Sequence, residues 1–295
     1  MCDGKKDTDS MRRAYAVTGK MFRDRLGRER PAEADELASV QPAEVVAVRG
    51  SYDHIHRVLE ATGVPFLDLP PAALARADWD RMQVLLVNCP GQLPRRAMER
   101  IPAWVRNGGY LVTTDWALKH VLEPLFPGRV RHNGQQTTDC VVRVELVGEQ
   151  ADPLLDGFLE DGRDPLWWLE GASYPIEIID TDRVRVLARS KEVGEQWGQE
   201  PVVITFDEGQ GTVLHLLSHL YLQRSDVRDA RDAMPAMDYY EQSLGLAPDE
   251  VAEYASMSEG LRASDVRSTM SKARFVSRIV LDSRRKTRAR KEGGS

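Results

Sequence analysis

Residues 108–122 read GGYLVTTDWALKHVL, and this stretch decides the fold. The glycine pair ends one helix. "YLVTTD" is a short, β-branched apolar run, the pattern of a strand covered on both faces. "WALKHVLEPLF" then has helical spacing. Asp115 stands where the strand turns into the helix, the position at which many α/β enzymes carry a nucleophile.

The same rhythm extends upstream. "EVVAVRG" (44–50) predicts a strand, and "SYDHIHRVLEATG" (51–63) a helix closed by Gly63. "VPFLDLP" (64–70) predicts a second strand and "PAALARADWDRM" (71–82) a helix or turn. "QVLLVNCPG" (83–91) is a third strand. "LPRRAMERIPAWVRNGG" (93–109) is a helix with Leu93, Met98, Ile101, Trp104 and Val105 on one side. Four strand–helix units in sequence predict a parallel sheet with helices on both faces.

Downstream the rhythm breaks. "TTDCVVRVELVG" (137–148), "YPIEIID" (174–180) and "RVRVLARS" (183–190) are strands without long helices between them, which predicts an antiparallel extension or inserted ribbon. "DPLLDGF" (152–158) and "PLWWLEG" (165–171) are expected to form an irregular aromatic loop. Trp167, Trp168 and Tyr174 there either line a pocket or pack as core, and packing is favoured. "EPVVITFDEGQGTVLHLLSHL" (200–220) predicts a hairpin turning at Asp207–Gly211 and ending on Ser218 and His219.

The ends are helical. Residues 5–29 place Met11, Ala14, Val17, Met21 and Leu26 on one side of a charged helix, followed by a Pro/Ala/Glu-rich linker or short helix. Two acidic amphipathic segments follow residue 225. A long basic helix then begins at Ser264 or Asp265, with Val266, Met270, Phe275, Val276, Ile279 and Val280 as its apolar stripe, and "KEGGS" is expected to be disordered. The divisions are therefore 1–43, 44–224 and 225–295. Residues 261–295 carry a net +8 and the remainder a net −14. Such polarity marks an end that meets something acidic. That is an anionic partner for Arg284, Arg285, Lys286, Arg288 and Arg290, a partner protein for the C-terminal helices, or the chain's own acidic body. A solvated tail is the plainest expectation.

Two stretches carry a resemblance. "VLLVNCPGQLPRRAMERIPAWVRNGGYLVTTDWAL" (84–118) and "GQGTVLHLLSHLYL" (209–222) resemble class I glutamine amidotransferase-like proteins, nearest in style to their trehalose-utilisation-type branch. The resemblance covers roughly 44–224. It implies an α/β, flavodoxin-like three-layer sandwich with a mostly parallel sheet, an antiparallel extension and helical N- and C-terminal additions. It also implies a site at the carboxyl ends of the strands. The family's elbow cysteine is replaced by Asp115, its partner histidine falls on His219, and its oxyanion-type loop falls on Asn88, Pro90, Gly91 and Gln92. Without the cysteine, glutamine hydrolysis through a thioester is not expected.

The candidate residues are thus Asp115 and His219 as acid/base groups. Asn88, Cys89, Gly91, Gln92, Thr114, Trp116 and Ser218 would line the crevice. Each has a plainer role. Asp115 fits an N-cap accepting from the backbone of Ala117 or Leu118. Cys89 fits a small buried hydrophobe, and His215 a structural histidine. His54 and His56, two apart at a helix start, make a poor metal pair with Asp115 and His219, so no metal is expected. No dinucleotide or phosphate-loop motif occurs, and no cofactor is expected. No run of about 18 or more apolar residues occurs, so no membrane span is expected. A polar start, with three unpaired cysteines (Cys2, Cys89, Cys140), places the chain in the cytoplasm. Two functions follow. One is a non-catalytic binding or scaffold protein. The other is a hydrolase or lyase on a small, sugar-like substrate using Asp115 and His219. The absence of a nucleophile–base pair in the sequence favours the first.

Overall fold

The computed structural model of the chain describes residues 8–147, 152–156, 158–159 and 161–293. Residues 5–7 of the expected first helix, Cys2 and residues 294–295 lie outside these. Five parallel strands form the centre: β1 (Val45–Val48), β2 (Leu67–Leu69), β3 (Val84–Val87), β4 (Tyr110–Thr114) and β12 (Gly211–Leu216). Their order is β2-β1-β3-β4-β12, the flavodoxin-like 2-1-3-4-5 arrangement. The fold is an α/β three-layer sandwich with helical additions. Strands β1, β3, β4 and β12 are buried at every position, which is why β1 and β3 read as unbroken apolar runs.

The antiparallel extension adds β11 (Pro201–Glu208), β10 (Arg185–Arg189) and β7 (Glu145–Leu146) beyond β12. Two small ribbons complete this region. One pairs β5 (Val130–His132) with β9 (Ile176–Ile178), the other β6 (Cys140–Arg143) with β8 (Leu166–Leu169). Of the two stretches expected to form an aromatic loop, 165–171 holds a strand, β8, while 152–158, whose Gly157 lies outside the described residues, holds a short 3-10 turn at Pro153–Leu155. Trp167 and Trp168 are wholly buried in β8, Trp167 packed on Phe158 and Phe275 and Trp168 on His219.

The helices are α1 (Thr8–Glu29), α2 (Pro31–Ala38), α3 (Ile55–Thr62), α4 (Pro71–Leu74), α5 (Arg95–Arg106), α6 (Glu123–Leu125), α7 (Lys191–Trp197), α8 (Ala236–Gln242), α9 (Pro248–Ser258) and α10 (Ala263–Gly293). The right-handed crossover rule puts α3 and α5 on opposite faces of the sheet. Helices α1 and α10 pack on each other and both on α3. Gly19 in α1 makes that approach possible, since a Cβ there would collide with the Ala61 carbonyl of α3. All five residues expected on the inner side of α1 are buried.

Helix α10 is not a solvated tail. Its apolar stripe is buried, and so are Arg267, Ser268, Thr269, Ser271, Lys272 and Ser277 around the rest of its circumference. Asp265 sits inside its first turn and accepts the backbone N–H of Arg262 at 3.0 Å, as a capping acid does. The helix runs on through residues 291–293, part of the segment expected to be disordered. The basic residues expected to meet an anionic partner have partners within the chain. Arg284 pairs with Glu44 at 2.6 Å, Arg288 with Glu36, and Arg285 with Asp282 at 2.6 Å. Lys286 donates to Thr212 at 2.8 Å and Arg290 to the Gln210 carbonyl at 3.0 Å. The acidic helices behave alike: Glu250 of α9 pairs with Arg28, and Tyr254 donates to Asp24 at 3.0 Å.

A chain ending at residue 260 would expose the apolar faces of α1 and α3 that α10 covers. Expression of 1–260 is expected to yield aggregated or molten protein. A cooperative thermal transition from that truncation, near that of the full chain, would contradict the buried position of α10.

Candidate functional site

The site forms where the carboxyl ends of β1, β3, β4 and β12 converge, next to the β1/β3 switch point of the sheet. Asp115 follows β4. Its φ is 46°, in the left-handed region that aspartate tolerates better than most residues. The turn aims the carboxylate away from the following helix. Helix capping by that side chain, as expected from sequence, does not occur: the N–H of Leu118 bonds to the Asp115 backbone carbonyl at 2.9 Å. The following helix is also irregular, a π turn at Leu118–Leu122 leading into α6. Such π turns are frequent at functional sites.

The Asp115 carboxylate is held from across the crevice. Oδ1 accepts the Tyr174 N–H at 2.9 Å, and Oδ2 accepts the Ser173 hydroxyl at 3.0 Å. His219 Nε2 lies 3.3 Å from Oδ2 and Cys89 Sγ 3.7 Å from it. On the far side of the imidazole, Nδ1 lies 3.5 Å from Glu170 Oε2. Neither ring nitrogen is aligned for a hydrogen bond. Asp115 is 2 % exposed, His219 1 % and Cys89 1 %.

Two further features fix this arrangement. Asp53, buried after β1, accepts the backbone N–H groups of Leu220 and Tyr221 at 2.9 and 3.1 Å and so anchors the loop carrying His219. Ala172 has φ 68° and, with Asp115, is one of two non-glycine residues at positive φ among the described residues. The two strained segments touch, since Trp116 Nε1 donates to the Ala172 carbonyl at 2.6 Å. Strain confined to facing segments is a mark of an over-determined site. Aromatic rings cover it: Tyr174 stacks on Trp116 and on His132, and Tyr52 meets Trp116 edge-on.

Burial raises the Asp115 carboxyl above its ordinary range, against the opposing pull of His219. For His219 burial works downward, but the Asp115 carboxylate beside it, with Asp53 and Glu170, outweighs burial and raises the imidazole. Both directions favour a proton kept on the pair. Burial, then the Asp115 charge, pushes the Cys89 thiol far up, which favours its protonated form.

The other expected lining residues serve the frame. Thr114 Oγ1 accepts the Cys89 N–H at 3.1 Å. Asn88 donates to the Val48 carbonyl at 2.8 Å and accepts the Ile55 N–H at 3.4 Å, tying β3 to β1 and α3. Gly91 has φ 78°, and a Cβ there would fall 2.7 Å from that of Ala117. Ser218 donates to the Trp168 carbonyl at 2.9 Å. Gln92 is exposed. Glu170, Ser173 and Asp53 complete the site and had no signal in the sequence, because each is brought in by a separate connection.

His215 lies one layer below. It is wholly buried, and Nδ1 meets Thr113 Oγ1 at 2.8 Å. Burial pulls it down to about 3. In the unfolded chain a histidine titrates near ~6.5. Unfolding therefore takes up a proton between these values. This contribution to stability is whole above the unfolded value and is lost as pH falls toward the folded one. The imidazole signals of His215 are expected to stay at neutral positions in an NMR titration from pH 8 to pH 5; a midpoint near its ordinary value would contradict this.

No protein-family profile matches the chain, and no curated protein matches it. Solved structures do. The chain is similar to Cytoplasmic Protein STM3548 from Salmonella typhimurium, with a TM-score of 0.43 and 15 % identity over 60 % of this chain and 88 % of that one. It is similar to a ThuA-like protein from Bacteroides uniformis, with a TM-score of 0.41 and 12 % identity over 61 % and 83 %. It is also similar to a β-galactosidase from Rahnella sp. R3, with a TM-score of 0.42 and 18 % identity over 66 % of this chain and 31 % of the enzyme. The matched part is thus under a third of that enzyme's length. No described helix is long and apolar enough to cross a membrane.

Proposed function

We propose that the chain is a non-catalytic binding or scaffold protein built on a class I glutamine amidotransferase-like domain at about 44–224. It would act with partner proteins in a cytoplasmic system. One observation carries the reading: the residue at the nucleophile position is a carboxylate already held by the Ser173 hydroxyl and the Tyr174 N–H, beneath a stack of Trp116, Tyr174 and His132. A working elbow presents its reactive atom to a substrate. This one presents it to the protein. The two sequence stretches that resemble the trehalose-utilisation-type branch support the family reading, and the free thiols Cys89 and Cys140 suit a reducing compartment.

A hydrolase or lyase using Asp115 and His219 is the second reading, favoured by their 3.3 Å approach on a left-handed turn. The test is turnover. Wild type and D115N are assayed on a panel of chromogenic esters, amides and glycosides. The scaffold reading expects equal background rates. A wild-type rate that D115N abolishes, with the fold intact by circular dichroism, would replace it with the second.

A further inference from the structure

We propose that Cys89 Sγ, Asp115 Oδ2 and His219 Nε2 bind one zinc ion at the carboxyl ends of β3, β4 and β12. The proposal rests on the reading of the elbow as a site without an attacking nucleophile. The three ligand atoms all lie within 4.8 Å of one another. The carboxylate oxygen is 3.3 Å from the imidazole nitrogen and 3.7 Å from the sulfur. Zinc with sulfur at ~2.3 Å and nitrogen or oxygen at ~2.0–2.2 Å has tetrahedral edges of about 3.3–3.6 Å. The two edges from the Asp115 oxygen already stand at almost that separation, and the sulfur–nitrogen edge lies within 4.8 Å.

His219 is the independent sign. It is 1 % exposed, and its ring nitrogens lie 3.3 and 3.5 Å from the Asp115 and Glu170 carboxylates without an aligned hydrogen bond to either. A buried polar ring left in this state needs an explanation. A cation at Nε2 supplies one. It would leave Nδ1–H facing Glu170 Oε2, 3.5 Å away, as in the carboxylate–histidine–zinc arrangement of metal sites. The Tyr174 N–H and Ser173 hydroxyl orient the carboxylate in the same supporting way.

Charge and ligand type select the ion. One thiolate and one carboxylate balance a divalent cation, with histidine neutral, so the buried cluster carries no net charge. The thiol proton and the proton held by the Asp115–His219 pair both leave to solvent as the ion binds. A sulfur–nitrogen–oxygen set suits zinc and not calcium or magnesium, which take oxygen ligands in larger number. Three protein ligands leave one position for water. Because the cluster is buried, the ion would enter as the chain folds, and a chelator would remove it only on unfolding.

The experiment is elemental analysis of full-length protein produced with zinc, followed by cobalt replacement after unfolding and refolding. About one zinc per chain is expected in wild type and in C140S, and well under half in C89S and H219Q. Cobalt is expected to give a sulfur-to-metal charge-transfer band in wild type and C140S that C89S lacks. E170Q is expected to keep the band and weaken binding about 10–100-fold. Metal-free wild type with no charge-transfer band overturns the proposal, as does a C89S band equal to that of wild type. The function reading fails separately: zinc together with turnover that D115N abolishes keeps the metal site and removes the scaffold role. No zinc and no turnover does the reverse.

Discussion

Asp115→Ala is expected to destabilise the protein by about 2–5 kcal/mol. Two losses add. The Tyr174 N–H, which the carboxylate accepts at 2.9 Å, is left without its partner, whereas the Ser173 hydroxyl still has the Glu170 carbonyl at 2.9 Å. Each buried donor without a partner costs about 1–3 kcal/mol. The backbone is the second loss. At φ 46° an alanine meets the left-handed penalty of roughly 1–2 kcal/mol, which an aspartate or asparagine partly escapes through local hydrogen bonding. Asp115→Asn keeps an acceptor and tolerates the turn, so it is expected to lose clearly less than D115A. Urea unfolding with an unchanged slope is the measurement. A D115A midpoint within experimental error of wild type, or a loss for D115N as large as for D115A, would show that the turn and the carboxylate are not what hold the crevice closed.

Lys272→Met is expected to do the opposite, stabilising the protein at neutral pH by roughly 1–4 kcal/mol. Lys272 lies wholly buried on α10. Its Nζ donates to Ser218 at 3.2 Å and sits 3.2 Å from the centre of the Trp167 ring. The ring face attracts the charged form. Burial outweighs that attraction and the pull of Asp53, and drives the amine well below its ordinary value. An unfolded lysine stays protonated up to about 10.4. At neutral pH the unfolded state therefore holds more protons at this residue, and its penalty grows as pH falls from the unfolded value toward the depressed folded one. Methionine has similar volume and no charge to desolvate. The gap between K272M and wild type should narrow steadily as unfolding is measured from pH 7 toward pH 10. A gap that does not move with pH, or a variant less stable than wild type at pH 7, would mean that the ammonium stays charged inside the fold.

The strands of the sheet were legible because their determinants are local, whereas the flavodoxin-like arrangement was implied only by the family resemblance. Val45–Val48, Val84–Val87 and Tyr110–Thr114 are short β-branched runs, each followed by turn chemistry and helical spacing. A parallel core strand must be apolar on both faces, and that leaves a pattern within a few residues. The inner side of α1 and the stripe of α10 were readable for the same reason. Their surroundings were not. A basic helix reads alike whether it projects into water or crosses its own acidic domain, and only the pairing of Arg284 with Glu44 and the burial of Lys272 distinguish the two. Strand β8 was hidden as well, because a Trp–Trp pair between prolines and glycines carries no alternation.

The sequence by itself determined the layers and the position of Asp115 at a strand-to-helix turn, since each follows from periodicity and sterics over about ten residues. Only the tertiary structure decided what that turn is for. Whether a carboxylate caps its own helix or faces Ser173, Tyr174, Cys89 and His219 depends on a left-handed dihedral and on chain closures spanning more than a hundred residues. Those closures are set by the packing of the whole sheet, and no local pattern records them.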